Sequence, residues 1–153
     1  MNVLKIPNPI LSQKAVEVND FDGAKSLING MLETAYNEKL LGLAAVQVGF
    51  LQRAFVVNIG TVENPFYKEF VNPKIKQDLK AGKSWSWEGC ASIENIQCLV
   101  ERPNKIFISA QDINGRNFEL TLFGLLARVC CHEQNHNDGI LMTQKARQRR
   151  FIK

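Results

Sequence analysis

The sequence predicts an α+β domain in which antiparallel strands pack around a central helix, with a second, amphipathic helix nearer the N-terminus. Segment 23–40 has apolar residues spaced three or four apart, as in an amphipathic helix, and segment 123–137 is followed by the stop signal of a helix. Segments 53–59, 66–71, 105–110 and 117–122 are short runs rich in β-branched and aromatic residues, typical of strands. Asn114-Gly115 between the last two favours a tight hairpin turn, so these strands are expected to be antiparallel.

The first helix is predicted over 23–40 from its apolar stripe, which should cover one face of the sheet. That stripe consists of Leu27, Ile28, Met31, Leu32, Ala35 and Tyr36. The central helix is predicted over 123–137, and Asp138-Gly139 supplies its stop signal because glycine readily adopts the conformation that ends a helix. Met31 and Met142 are interpreted as core residues.

Composition limits the class of protein. A chain of 153 residues that is 45% hydrophobic is the size of one domain, and we expect one spanning 1–153. No apolar run approaches the roughly 18 residues of a membrane-spanning helix, and residues 1–7 lack a secretory pattern. We therefore expect a cytoplasmic protein with no membrane partner.

The net charge is +4, and basic residues crowd into a C-terminal tail at about 143–153. They are Lys145, Arg147, Arg149, Arg150 and Lys153. We expect this tail to be a solvated, frayed terminus, with nucleic-acid contact as the alternative. If Trp85 and Trp87 lie on a strand, they point to the same side; packing is a more expected role for them than lining a peptide groove.

The chemistry is concentrated in His-Glu-Gln-Asn-His at 132–136, a His-Glu-x-x-His pattern on the central helix. Residues four apart project from one helix face, so His132 and His136 can bind one metal ion while Glu133 reaches a water molecule on it. They are the only two histidines in the chain. The pattern predicts a metal-dependent hydrolase with Glu133 as general base.

A catalytic ion usually has three protein ligands and an open position, so a third ligand is needed. Cys130 and Cys131 point away from the histidine face and are predicted to be buried packing residues. Cys90 and Cys98 remain as candidates. Cys90 is favoured because its neighbour Gly89 would let backbone, metal and substrate approach closely, but Cys98 is not excluded.

Three motifs in order give the sequence a resemblance to the peptide deformylase family. Leu-Gly-Leu-Ala-Ala-Val-Gln-Val-Gly at 41–49 resembles the family's Gly-x-Gly-Leu-Ala-Ala-x-Gln motif. Glu-Gly-Cys-Ala-Ser at 88–92 resembles Glu-Gly-Cys-Leu-Ser, and 132–136 matches His-Glu-x-x-His. The similarity extends from residue 3 to residue 141, nearly the whole chain.

The resemblance implies an enzyme that removes the formyl group from N-terminal formyl-methionine of new polypeptides and releases formate. It makes Cys90 the third metal ligand beside His132 and His136. It implies that the Gln47 amide and the Ala91 backbone N–H donate hydrogen bonds to the formyl oxygen. The implied substrate-binding residues are Leu41, Gly42, Gly89, Leu125 and Val129.

The implied cofactor is one divalent ion, Fe²⁺ natively, with Zn²⁺ or Ni²⁺ as alternatives; ligand softness alone favours zinc. The chain departs from the family at Leu40, Val46, Ala91, Gln134 and Asn135. Only 17 residues follow His136, so the resemblance implies a short variant without the long C-terminal helix of many bacterial members. Ribosome contact would then depend on the basic tail.

Two alternatives remain at this stage. One is a hydrolase of a different acyl amide, suggested by the altered residues around the motifs. The other is a non-catalytic homologue that binds metal or peptide, which is disfavoured because a closed structural metal site would need neither Glu133 nor Gln47.

Overall fold

The computed structural model describes residues 1–152 and has three α-helices and eight strands in that range. The helices are α1 (Phe21–Asn37), α2 (Gly124–Asn137) and the four-residue α3 (Met142–Lys145). The strands are β1 (Gly42–Ala44), β2 (Ala54–Gly60), β3 (Pro65–Gln77), β4 (Lys83–Cys90), β5 (Ile93–Pro103), β6 (Lys105–Gln111), β7 (Asn117–Phe123) and β8 (Gln148–Phe151). Short 3₁₀ helices lie at Pro9–Ser12, Ala45–Val48 and Leu79–Ala81.

The strands form two antiparallel sheets. One has five strands in the order β1-β2-β3-β6-β7, and the other has three in the order β4-β5-β8. The predicted hairpin is confirmed, because β6 and β7 pair across a turn in which Gly115 has φ +79°. The α+β class predicted from the sequence is confirmed.

Helix α1 covers one face of the five-stranded sheet, as its apolar stripe predicts. It begins at Phe21 because the Asp20 side chain caps the free N–H of Gly23 at 2.9 Å. It ends at Asn37, earlier than predicted, and Lys39 has the left-handed φ of +56°. Met31 is fully buried in the core between α1 and this sheet. Met142 is also fully buried, in a separate and smaller core beside the three-stranded sheet.

Helix α2 is central, since it contacts strands of both sheets. Its predicted end is confirmed: Asp138 caps it and Gly139 follows with φ +72°. The Arg53 guanidinium donates to Asp138 at 2.7 Å and ties this end of the helix to the segment before β2. The helix is therefore anchored at the turn just beyond the second histidine. None of the helices within residues 1–152 is long and apolar enough to cross a membrane.

Strands β4, β5 and β8 were not predicted from the sequence, and two of the predictions made above are wrong. The tail is not frayed at 148–151, where β8 pairs with β5 although its side chains are exposed. Lys153, the last basic residue of the tail, lies outside the described residues. Cys130 is buried as predicted, but Cys131 is only partly buried.

Candidate metal centre

The chain brings one cysteine and both histidines together between β4 and α2. Cys90 ends β4 just after the pairing with β5 shifts register, and its Sγ lies 3.4 Å from Nε2 of His136. One possible ligand atom from each of Cys90, His132 and His136 lies within 4.8 Å of the others. A single ion placed among them could contact all three. Cys98, the alternative considered above, is fully buried in the core of the three-stranded sheet and is not part of this group.

Glu88 holds the first histidine and was given no role in the sequence analysis. Its Oε1 lies 3.0 Å from Nδ1 of His132, which leaves Nε2 of the ring to face a metal ion. The same carboxylate accepts two hydrogen bonds from Arg102, each of 3.0 Å, and one from Arg128 at 2.7 Å. Burial favours the neutral acid, but hydrogen bonds from His132 and Arg102 outweigh it and lower the pKa of Glu88 to about 2.

This network extends to one of the residues at which the chain departs from the family. The Oδ1 atom of Asn135 accepts a hydrogen bond from Nη1 of Arg102. Asn135 therefore keeps a polar contact in the support of the site although it carries no charge. Gln134 donates from Nε2 to the backbone oxygen of Pro73 at 3.1 Å and ties α2 to β3.

The two imidazoles differ in their affinity for protons. Burial acts to lower the pKa of His132, but hydrogen bonds with Cys90 and Glu88 outweigh it and raise the pKa to about 10. Burial and the nearby charge of His132 hold the pKa of His136 well below its usual range. Glu88 thus holds the His132 ring by a hydrogen bond, whereas Nδ1 of His136 has no hydrogen-bond partner among residues 1–152.

Glu133 lies beside the metal centre with one oxygen uncommitted. Its side chain is buried, and Oε2 has no hydrogen-bond partner among the described residues. Burial raises the pKa of this carboxyl to about 7. A carboxylate with a pKa near neutrality can both accept and return a proton at physiological pH.

Gln47 faces the same centre from the Ala45–Val48 turn. Its Oε1 accepts a hydrogen bond of 2.9 Å from the Ala44 backbone, and its Nε2 donates to Ser92 Oγ at 3.1 Å. The Nε2 atom also lies 3.7 Å from Sγ of Cys90. The amide group is thus held with its donor end towards the metal centre.

The N-terminal segment links the two candidate donor residues, Gln47 and Ala91. The Leu4 N–H donates to the backbone oxygen of Gln47 at 2.7 Å, and the Lys5 ammonium donates to that of Ala91 at 2.5 Å. The Ile6 N–H donates to the backbone oxygen of Ser92 at 3.0 Å. These bonds fix the two donor segments relative to each other.

A cavity of about 330 Å³ opens onto the centre. Every site residue predicted from the sequence lines it except His136. The predicted lining residues are Leu41, Gly42, Gln47, Gly89, Cys90, Ala91, Leu125, Val129, His132 and Glu133. The structure adds five lining residues that were not predicted as site residues, namely Lys39, Leu40, Trp87, Glu88 and Arg128.

Gly42 has a steric role that the sequence did not reveal. A Cβ atom at this position would lie 2.7 Å from Glu133 Oε1 and 2.9 Å from Val129 Cγ1. We expect Gly42→Ala to displace the Glu133 carboxylate and to lower kcat by on the order of 10²-fold, because misplacing a catalytic group by about 1 Å has that effect. The measurement is steady-state kinetics of formate release from a formyl-methionyl peptide.

Gly30→Ala is the matched control for this substitution. The atoms nearest to its added Cβ would be those at the flexible end of the Met1 side chain, and Met1 is none of the site residues named above. An unchanged kcat in Gly42→Ala would contradict the close contact with Glu133.

Three ligand atoms for a divalent ion beside a buried carboxylate, on this α+β scaffold, define the class: a metal-dependent hydrolase. A model of the family described as polypeptide deformylase matches residues 1–151. The peptide deformylase of Caldicellulosiruptor bescii is 44% identical over 137 residues, which cover 89% of this chain and 79% of that protein.

Solved structures of peptide deformylases are also similar to this chain. The peptide deformylase from Thermotoga maritima superposes with a TM-score of 0.89 at 32% identity, covering 96% of this chain and 97% of that one. A probable peptide deformylase from synechococcus phage S-SSM7 gives a TM-score of 0.87 at 34% identity, with 94% and 98% covered. This chain belongs to the polypeptide deformylase family.

Proposed function

We propose that this chain removes the formyl group from the N-terminal formyl-methionine of newly made polypeptides, at a divalent ion held by Cys90, His132 and His136. The observation that carries the proposal is the convergence of these three ligands within 4.8 Å beside the unpartnered, buried oxygen of Glu133. A site of purely structural use would need no such carboxylate.

The donor set fits a divalent transition metal. One thiolate and two imidazoles are suitable ligands for zinc and for iron, and the Glu88 contact orients His132 as carboxylates commonly orient metal-binding histidines. We propose Fe²⁺ as the native ion on the basis of the family, with Zn²⁺ or Ni²⁺ able to replace it. A bound divalent ion would lower the pKa of a water molecule towards about 7 and polarise the formyl oxygen.

Three residues of the chain then have separate roles in the reaction. Oε2 of Glu133 accepts the proton of the attacking water and returns it to the departing amine nitrogen. The Nε2 donor of Gln47 and the backbone N–H of Ala91 stabilise the negative charge that develops on the formyl oxygen. The products are formate and a peptide with a free N-terminal amine.

The cavity suits a methionine side chain. Leu41, Leu125 and Val129 line it with apolar side chains, while Gly42 and Gly89 add no side chain to its lining. An unbranched thioether adapts well to an apolar pocket of this kind. We propose these five residues as the substrate-binding set.

Formate release from formyl-Met-Ala-Ser by anaerobically prepared, iron-loaded protein tests this function. We expect turnover that a chelator abolishes and added Fe²⁺ restores, and far less hydrolysis of acetyl-Met-Ala-Ser. Faster hydrolysis of the acetyl peptide would favour a different acyl amide as substrate. Folded, metal-loaded protein that releases no formate would contradict the proposal.

We also propose that the protein resides in the cytoplasm, where newly made polypeptides emerge. There, we propose, the basic tail makes a weak contact with the ribosome. Arg147, Arg149 and Arg150 are exposed on or beside β8, and none forms a salt bridge within residues 1–152. We expect co-sedimentation with ribosomes that weakens as salt rises and is lost when all three are replaced by Gln. Salt-independent co-sedimentation would argue against a contact of this kind.

A further inference from the structure

One exposed cation lines the metal-site cavity, and the carboxylate beside it in the sequence, Glu38, does not. Lys39 lines the cavity, is exposed, and forms no salt bridge among residues 1–152. It directly follows the capped end of α1 with φ +56°, and its N–H donates to the Tyr36 backbone oxygen at 3.2 Å. The turn therefore places Lys39 at the cavity by backbone geometry rather than by pairing with an acid.

A second cation lies against Trp87, which also lines the cavity. The guanidinium carbon of Arg150 lies 4.0 Å from the centroid of the Trp87 ring. Its Nε and Nη2 donate to Oε1 of Gln97 at 2.9 and 2.7 Å, and Gln97 carries no charge. The pairing of β8 with β5 thus places Arg150, which forms no salt bridge among residues 1–152, against a side chain that lines the cavity.

The carboxylates that line the cavity do not offset these charges. Among the described residues they are Glu88 and Glu133. Glu88 is already engaged by Arg102, Arg128 and His132, and Glu133 is buried. The charges of Lys39 and Arg150 are therefore not paired with these carboxylates, and a divalent ion held by the metal ligands would add positive charge to the same cavity.

We propose that this site selects peptides with an acidic side chain among the first residues after formyl-methionine, and that Lys39 and Arg150 are the specificity-determining residues. The inference rests on the proposed deformylase function and adds a preference within its substrates. Neither cation is a metal ligand or one of the groups assigned to the reaction, so we expect the selection to act mainly on KM, with kcat little changed.

The test compares paired formyl-methionyl peptides that differ only in Glu against Gln, at the second, third or fourth position. At low salt, kcat/KM should be higher for the Glu peptide by roughly 2- to 5-fold per cation engaged, the range of an exposed ion pair. The ratio should fall towards one at high salt, because these charges are screened. Lys39→Gln should reduce the ratio, Lys39→Glu should invert it, and Arg150→Gln should reduce it at a more distant peptide position.

Lys76→Gln is the matched control, since it removes one positive charge from an exposed position on β3 outside the cavity. It should keep both the Glu/Gln ratio and the turnover of the parent. A parent ratio at or below one at every position, or a ratio that neither Lys39 variant alters, would overturn the inference while deformylation stands. If metal-loaded parent protein hydrolyses neither member of any pair, the proposed function fails and the inference fails with it.

Discussion

Glu133→Gln is expected to lower kcat for formate release by roughly 10²–10⁴-fold, the usual range for loss of a general acid–base group. The amide keeps the volume of the side chain but cannot accept and return the proton. Because Oε2 of Glu133 is buried without a hydrogen-bond partner in the part of the chain that the structure describes, the substitution should leave the melting temperature unchanged or raise it. Metal content, measured by elemental analysis, should stay at the level of the parent.

Loss of activity with unchanged stability would indicate that the role of Glu133 is catalytic rather than structural. Glu119→Gln removes the same charge from an exposed position on β7 and should change neither quantity. A Glu133→Gln protein whose kcat stays within a few-fold of the parent would show that another group moves the proton. Loss of kcat together with loss of metal would show instead that Glu133 acts by supporting the ion.

Glu88→Ala should have the largest effect on stability. It would leave the buried guanidinium of Arg102 with only Asn135 as a partner, remove a partner of Arg128, and free the ring of His132. Removing one member of a buried ion pair typically costs about 3–5 kcal/mol of unfolding free energy. Losing the carboxylate that orients a metal-binding histidine typically weakens metal binding by about 10- to 100-fold.

Urea unfolding of the metal-free protein and competition with a chelator measure these two effects separately. Glu94→Ala is the matched control, because its salt bridge with Lys5 is largely exposed and should contribute less than about 1 kcal/mol. Equal losses of stability in Glu88→Ala and Glu94→Ala would contradict the assignment of Glu88 as the buried anchor of the site.

Local signals in the sequence were enough to predict the helix that carries two of the metal ligands and one of the hairpins. The His-Glu-x-x-His spacing and the Asp138-Gly139 stop predicted α2, and Asn114-Gly115 predicted the β6–β7 hairpin. The three-stranded sheet was missed because its strands have no clear apolar alternation. β5 carries Glu94 and Glu101 among its apolar residues, and β8 is basic and exposed, so their strand state depends on pairing partners distant in the sequence.

The same limit applies to the candidate site. The ligands and Glu133 were recognisable from spacing and from family resemblance, whereas the role of Glu88 depends on Arg102 and Arg128, 14 and 40 residues away. No sequence pattern indicates that three cationic or polar groups converge on one buried carboxylate. The only available signal was the position of Glu88 within the Glu-Gly-Cys motif.

The most direct test of the proposed metal centre is X-ray absorption spectroscopy of the zinc-loaded protein and of two cysteine variants. We expect one sulfur ligand at about 2.3 Å and nitrogen ligands at about 2.0–2.1 Å in the parent protein. Cys90→Ser should lose the sulfur signal, and Cys98→Ser, altered at a cysteine buried outside the site, should keep it. A sulfur signal that survives in Cys90→Ser, or that disappears in Cys98→Ser, would contradict a centre formed by Cys90, His132 and His136.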